Sequence, residues 1–160
     1  MDSQTIELLG QHRLASELLR AGLEVSFPSR DRGVDLIAYV DLDEEIGQFI
    51  AKPVQMKAAS QRSFGIWKKY LKIHDLILAF VWHLDGSREP ETYALTCDEA
   101  IAIGEAMGWT KTASWNEKGG YSTTRPGKKL CKLLAPHCMT PELWWAKITT
   151  VPSTKARTVA

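Results

Sequence analysis

The chain has 160 residues, of which 44% are apolar and 24% charged, values typical of one soluble globular domain. Its net charge of +1 excludes an overall attraction to a polyanion, and no apolar run is long enough to span a bilayer. The N-terminus lacks a signal-peptide pattern, and three cysteines are too few for a disulfide framework. We therefore expect a single cytoplasmic domain over residues 1–150, with no membrane partner.

The first part of the chain predicts one helix and three strands. Leucines at helical spacing predict a helix over 4–21. Its apolar stripe comprises Leu8, Leu14, Ala15, Leu18 and Leu19. Strands are expected over 23–27, 33–40 and 46–58. Pro53 lies within the third strand, which therefore needs a free edge or a bulge at that point.

The middle of the chain predicts a helix, a strand pair and a second helix. A short helix with aromatic and basic residues is expected over 64–72. The continuous apolar run over 76–82 predicts an interior strand, and a strand over 92–95 returns beside it. A capping-box pattern that begins at Thr96 predicts a helix over 97–108.

The last part of the chain predicts a loop, two helices and a tail. The region 110–128 is rich in Gly, Ser and Thr, which favours a long loop. Short helices follow near 127–134 and 141–148, and residues 151–160 are predicted to be a disordered tail. The order of all these elements predicts an α/β fold, with a mixed sheet flanked by helices on both faces.

Two of the predicted strands carry polar residues that an ordinary core strand would exclude. Asp35 lies inside an apolar run, and Gln55 and Lys57 alternate with Val54 and Met56. This alternation directs Gln55 and Lys57 to one face of the sheet and the apolar pair to the other. Burying an acid, an amide and an amine costs free energy unless they meet each other, a metal ion or a phosphate.

The first helix carries a similar feature. At 100° per residue, Glu7 and Gln11 fall on the apolar stripe beside Leu14 and Leu18, whereas Glu17 falls on the opposite, solvent side. A carboxylate on a buried stripe is uncommon unless it is paired or coordinates a cation. Glu7 is therefore a candidate ligand.

These residues together predict a site that cleaves phosphodiester bonds. Oxygens of Glu7, Asp35 and Gln55 would hold one hard cation such as Mg²⁺, which binds few protein ligands and keeps several waters. The cation would polarise the scissile phosphate and lower the pKa of a bound water. Lys57 would stabilise the charge of the pentavalent phosphorane or orient the attacking water.

Structural interpretations of the same residues stay open. Asp35 could pair with Arg30 or Arg32, and Glu7 could form an ion pair with Lys57. For any one residue taken alone the structural interpretation is favoured. The coincidence of four such residues favours a functional site.

The even net charge hides a segregation of charge along the chain. Basic residues concentrate over 57–72 and 109–139, whereas acidic residues collect at 41–45 and 85–91. The basic segments would attract a polyanion, although solvated surface is the alternative. Trp67, among the lysines, is expected to pack into the core. The residues predicted to contact nucleic acid are Gln11, Arg30, Arg32, Ser60, Gln61, Arg62, Lys68 and Lys69.

The pattern of Glu7, Gly33-Val34-Asp35-Leu36 and Gln55-Met56-Lys57 resembles that of the PD-(D/E)XK nuclease superfamily, with its restriction-endonuclease-like fold. It is most similar to that of archaeal Holliday-junction resolvases and small homing or repair-type nucleases, over residues 5–60. The resemblance implies an Mg²⁺-dependent endonuclease acting on DNA, in which Mn²⁺ can substitute and in which Glu7, Asp35, Gln55 and Lys57 are catalytic. A homodimer is also expected, because cutting both strands of a duplex needs two sites.

The chain departs from the family pattern at three positions. Val34 replaces the name-giving proline, a change that the family tolerates. Gln55 replaces an acid, which should weaken metal binding. Gln11 stands where members often place the helix glutamate, so Glu7, one turn earlier, would serve instead. The alternatives are a nucleic-acid-binding module without catalytic activity and a protein-binding role of the aromatic second half of the chain.

Overall fold

The computed structural model describes residues 1–40 and 49–151. The acidic turn predicted at 41–45, the first residues of the third predicted strand and the tail beyond Val151 lie outside the described residues. Within them, none of the helices combines the length and the apolar character required to cross a bilayer.

The described residues contain seven strands, which form two sheets. They are β1 (Glu24–Ser26), β2 (Leu36–Val40), β3 (Ile50–Ala58), β4 (Phe64–Trp67), β5 (Ile77–Trp82), β6 (Glu91–Thr96) and β7 (Gly120–Thr123). The larger sheet has the order β1-β2-β3-β5-β6, and β4 pairs with β7 in a separate two-stranded ribbon. Only β3 and β5 run parallel among the described strand pairs. This mixed sheet with flanking helices confirms the predicted α/β class.

Within the described parts of the chain, five α-helices contribute to the cores on the two faces of the larger sheet. They are α1 (Ser3–Arg20), α2 (Cys97–Ala106), α3 (Ala113–Lys118), α4 (Lys128–Leu134) and α5 (Pro141–Thr149). The capping box that begins at Thr96 is present and opens α2, as predicted. α1 and α5 contribute to the core on one face of the sheet. The ribbon and helices α2, α3 and α4 contribute to the core on the other face.

β5 contributes to both cores, because its side chains alternate between the two faces of the sheet. Ile77, Ala79 and Val81 belong to the core under α1 and α5. Leu78, Phe80 and Trp82 belong to the core under the ribbon. All six residues are buried, which confirms the prediction that this apolar run is an interior strand.

Two predicted elements are wrong. The predicted helix over 64–72 is β4 followed by a 3-10 helix at Lys68–Lys72. The predicted loop over 110–128 contains a 3-10 helix at Trp109–Lys111, helix α3 and strand β7. Both errors have the same cause. β4 and β7 pair only with each other, although more than 50 residues separate them along the chain.

The buried side of α1 is also different from the predicted stripe. Its buried residues are Ile6, Gly10, Leu14 and Leu18, whereas Leu8 and Leu19 are 52% and 54% exposed. Gly10 is the reason, because this residue lies so close to Ala58 of β3 that it fixes which side of the helix faces the sheet. The placement of Glu7 on a buried stripe is therefore wrong, and Glu7 is exposed.

β3 changes partner in its middle. Its first half, up to Val54, pairs antiparallel with β2, and its second half, from Val54 onward, pairs parallel with β5. Pro53 therefore lies just before the part of β3 that pairs with β5, so its missing N–H removes no hydrogen bond to β5. This confirms the prediction that the strand has a free edge at Pro53. β2 begins only at Leu36, so Asp35 directly precedes the strand rather than lying inside it.

Candidate active site

The Asp35 carboxylate lies directly before β2 begins, beside the part of β3 that has no β2 partner. The Asp35 N–H donates to the carbonyl of Val54 at 2.9 Å, which is the last backbone contact at this end of the pair. Beyond it, the Asp35 Oδ2 atom accepts the backbone N–H of Met56 at 2.6 Å. It also accepts the Gln55 Nε2 amide at 2.7 Å. The carboxylate thus replaces a strand neighbour for the β3 backbone.

Gln55 and Lys57 lie on the same face of β3 as the ribbon and its core. Gln55 is 7% exposed. Its Oε1 atom is buried and has no hydrogen-bond partner among the described residues. A buried acceptor without a partner is costly, and such atoms mark places where a ligand or ion can bind.

The pKa of Asp35 is raised above its usual range. Desolvation by burial is the main cause, and the neighbouring carboxylates of Asp31 and Glu7 also raise it. The Met56 N–H and the Lys57 ammonium act in the opposite direction without cancelling the effect. The site therefore holds more negative charge than its surroundings stabilise, and a bound cation would relieve this.

Glu7 does not lie on the face of the sheet that carries Gln55 and Lys57. The residue is exposed on α1, and α1 packs on the face of the sheet opposite to Gln55 and Lys57. Its charge is the smallest of the influences that raise the pKa of Asp35. Gln11 is half-buried on the same helix.

Asp31, which is exposed, precedes Asp35 by four residues and contributes to the raised pKa of its carboxyl group. Its Oδ1 atom accepts the Gly33 N–H at 3.1 Å, and Gly33 has a φ of 86°, which only glycine adopts readily. Asp31 and Gly33 thus belong to the turn that directly precedes Asp35. The signal in the sequence is the spacing of Asp31, Gly33 and Asp35.

The Lys57 ammonium contacts two aromatic rings. Its Nζ atom is 5.2 Å from the centroid of the Trp67 ring and 5.3 Å from that of Tyr70. These distances are those of cation–π contacts. In the part of the chain that the structure describes, Lys57 forms no salt bridge, and neither the Glu7–Lys57 pair nor a pair of Asp35 with Arg30 or Arg32 is present.

The residues predicted to contact nucleic acid fall into two groups. Exposed side chains are those of Arg30, Arg32, Ser60, Gln61, Lys68 and Lys69. Arg62, in contrast, is half-buried and directed at α4, where its Nη1 atom lies 4.0 Å from the Cys131 sulfur. Its Nε atom is buried and has no hydrogen-bond partner among the described residues.

The oxygens at this site fit a hard cation with few protein ligands. Asp35 has one oxygen that accepts no hydrogen bond from the described residues, and Gln55 has the unpartnered Oε1. Within residues 1–40 and 49–151, no three His, Cys, Asp or Glu side chains are grouped closely enough to hold a metal. Two oxygens from Asp35 and Gln55 would leave most of the coordination sphere of an ion such as Mg²⁺ to water.

A second polar cluster lies outside this site, beside a cavity of about 760 Å³. Burial alone would raise the pKa of Glu99, but the Lys147 ammonium at 2.6 Å and the Thr96 N–H at 2.8 Å outweigh burial and lower this pKa. The Lys52 ammonium donates to the Lys147 and Thr150 carbonyls at the end of α5. Because these groups satisfy each other, the cluster joins α2, α5 and β3.

Comparison of the chain with models of protein families, with curated proteins and with solved structures found no match. The functional conclusion therefore depends on the geometry of Asp35, Gln55 and Lys57 and on the resemblance of the motif.

Proposed function

We propose that this protein is a metal-dependent endonuclease that hydrolyses phosphodiester bonds of DNA, with the restriction-endonuclease-like fold of the PD-(D/E)XK superfamily. The observation that carries the proposal is the convergence of Asp35, Gln55 and Lys57. An acid with a raised pKa, directly before β2, lies beside β3, which carries an amide oxygen without a partner among the described residues and an amine without a salt bridge among them.

Asp35 and Gln55 would hold the metal ion, and Glu7 would bind at the rim, directly or through water. Bound Mg²⁺ or Mn²⁺ would supply a water of lowered pKa and polarise the scissile phosphate. Asp35 keeps its Oδ2 atom on the Met56 N–H, so its other oxygen is directed away from the β3 backbone. Rotation of the Gln55 amide would exchange Nε2 and Oε1 and present an oxygen beside Asp35.

Lys57 would act on the phosphate itself. Its ammonium carries a full charge and N–H donors, which match the charge that develops on the phosphoryl oxygens in the transition state. Substrate DNA would approach over the exposed lysines of the 3-10 helix. The Lys69 Nζ atom lies 5.0 Å from the Tyr70 ring that also contacts Lys57, which connects this basic surface to the site.

The cellular setting and the assembly form part of the same proposal. Cys97, Cys131 and Cys138 are free thiols, in keeping with a reducing cytoplasm. A homodimer would supply the second site needed to cut both strands of a duplex.

One observation favours the alternative of a nucleic-acid-binding module without catalysis. The Gln55 amide donates its Nε2 hydrogen to Asp35. An amide that stays in this orientation stabilises the carboxylate without a metal ion, and the site would then be structural.

A cleavage assay on supercoiled plasmid separates the two functions. We expect the wild-type protein to cleave in Mg²⁺ or Mn²⁺. Asp35→Asn and Lys57→Met should lower the rate by about a hundredfold or more, because each removes a charge used in the reaction. The matched controls are Glu117→Gln and Lys132→Met, which change the same charges at exposed positions outside the site.

The contrary results are equally specific. Salt-dependent DNA binding by the wild-type protein without cleavage in either metal, unchanged in Asp35→Asn, would establish the binding module. The absence of DNA binding at low salt would contradict both functions.

A further inference from the structure

The surroundings of the Lys57 ammonium are unusual for a lysine at the face of a sheet. Trp67 and Tyr70 contact it, at 5.2 and 5.3 Å from the ring centroids, and no carboxylate lies within salt-bridge distance among the described residues. A carboxylate would neutralise the charge and occupy N–H donors. An aromatic ring attracts the cation through its π face and accepts few of its hydrogen bonds.

Both rings are held by neighbouring side chains. Tyr70 is 4% exposed, and its ring meets that of Trp67 edge to face, with centroids 5.8 Å apart and planes at 84°. The Trp67 ring stacks near Phe80 at 6.5 Å, with planes at 18°. Phe80 is the β5 residue directly opposite Lys57 in the β3–β5 pairing. The β3–β5 pairing therefore places Phe80 opposite Lys57, and the Phe80 ring in turn lies against the Trp67 ring.

Two glycines of the β4–β7 ribbon leave space for the Trp67 ring. A Cβ atom on Gly65 would lie 2.6 Å from the Trp67 Cζ2 and Cη2 atoms. A Cβ on Gly120, the β7 residue paired with Trp67, would lie 2.6 Å from Trp67 Cδ1. Both positions therefore exclude larger residues unless the indole moves.

We infer that Trp67 and Tyr70 are positioning residues for Lys57, and that the β4–β7 ribbon serves to place the Trp67 ring. The inference rests on the proposed function of Lys57 as the group that acts on the phosphate. The rings hold the ammonium on the face of Asp35 while its charge and its donors stay available to the substrate.

The first test measures the position of Lys57 without reference to activity. In the NMR spectrum of the wild-type protein, the ε-methylene protons of Lys57, assigned by their loss in Lys57→Arg, should lie upfield of the other lysine signals because of the two ring currents. Trp67→Leu should move them toward the ordinary lysine position, and Trp67→Phe should retain much of the shift. Wild-type signals at the ordinary position would overturn the inference, even if Trp67→Leu does not fold.

The second test measures cleavage by single variants at saturating Mg²⁺. Trp67→Leu and Tyr70→Leu should lower kcat by about tenfold, the equivalent of one cation–π contact, while KM for DNA changes by less than about twofold. Trp67→Phe and Tyr70→Phe should restore most of the rate. Trp145→Leu, which removes a partly exposed indole from α5, should leave both constants unchanged.

The outcomes distinguish this inference from the proposed function. An unchanged kcat in Trp67→Leu, or a loss confined to KM, would overturn the positioning role. A wild-type protein that does not cleave would overturn the proposed function instead, and the NMR signals would still decide whether the rings hold Lys57.

Discussion

Asp35 is the residue on which the sheet and the site both depend. Its carboxylate satisfies a β3 backbone N–H that has no strand partner, yet its raised pKa shows that the ionised form is poorly stabilised. Residues that are unfavourable for folding but retained in a cleft or on a sheet edge are typical of functional sites. The pH dependence of stability therefore tests the electrostatics of this site.

We predict that Asp35→Asn stabilises the metal-free protein. A carboxyl group whose pKa is higher in the folded state lowers stability as the pH rises from its ordinary value near 3.8 through the raised value. Asparagine keeps an oxygen for the Met56 N–H and carries no charge. In EDTA at pH 7, its Tm should exceed that of the wild type by about 2 °C.

Two comparisons check this prediction. The Tm difference should vanish below pH 3, where Asp35 is protonated, and added Mg²⁺ should raise the Tm of the wild type but not that of Asp35→Asn. Equal Tm values for both proteins at pH 7, or an equal response to Mg²⁺, would contradict the assigned electrostatics.

At the residue scale, the alternation along β3 predicted the face on which its side chains lie, whereas leucine spacing did not predict which side of α1 is buried. The alternation of β3 correctly assigned Gln55 and Lys57 to one face. Leucine spacing on α1 placed Glu17 on the solvent side, whereas this carboxylate accepts hydrogen bonds from Arg13, Thr92 and Trp144. Thr92 and Trp144 belong to β6 and α5, and no local pattern reveals such distant donors.

At the element scale, the contact of α1 with β3 determines how the first helix lies on the sheet. A Cβ on Gly10 would be 2.7 Å from the Ala58 Cβ and 3.1 Å from the Met56 sulfur. The helix backbone thus approaches the strand directly behind the residues of the site. Glycine is unfavourable inside a helix, so its presence there reflects the close approach.

We predict that Gly10→Ala destabilises the protein despite the better helix propensity of alanine. The steric cost should exceed the propensity gain by about 1–2 kcal/mol, measured by urea unfolding. The double variant Gly10→Ala/Ala58→Gly should recover most of this loss, because the two changes compensate at one contact. Strictly additive effects would show that the two residues do not meet.

The sequence did not predict the elements whose partners are distant in the chain. β4 and β7 have only four residues each, and their pairing supplies the stability that short strands lack. The Trp109 and Tyr121 rings stack with centroids 4.6 Å apart, and Lys68 donates its N–H to the Gly119 carbonyl. By contrast, α2 and β5 carry their own signals, a capping box and a continuous apolar run, and both were predicted.

At the scale of the whole molecule, the distribution of basic residues matters more than the net charge. Lys68 and Lys69 are exposed near the site, and the Lys68 N–H bond to Gly119 places Lys118 beside them. No salt bridge neutralises these three lysines among the described residues. A phosphate backbone would meet a local excess of positive charge there.

We predict that the double variant Lys68→Ala/Lys69→Ala binds duplex DNA with a weaker dependence on salt. Each lost phosphate contact reduces the slope of log K against log salt by about 0.9, so the slope should fall by about 2. The control is Arg20→Ala/Arg88→Ala, which removes the same charge from exposed positions on α1 and in the turn after β5. An equal change of slope in both double variants would show that only net charge matters.

The change of partner within β3 makes the site sensitive to insertions and deletions. The hairpin with β2 and the parallel pair with β5 set their registers independently, and they meet at Val54. One residue gained or lost between Pro53 and Gln55 would leave the hairpin intact, yet it would turn the amide and the amine toward α1. The number of residues in this strand therefore matters to the site as much as their identity.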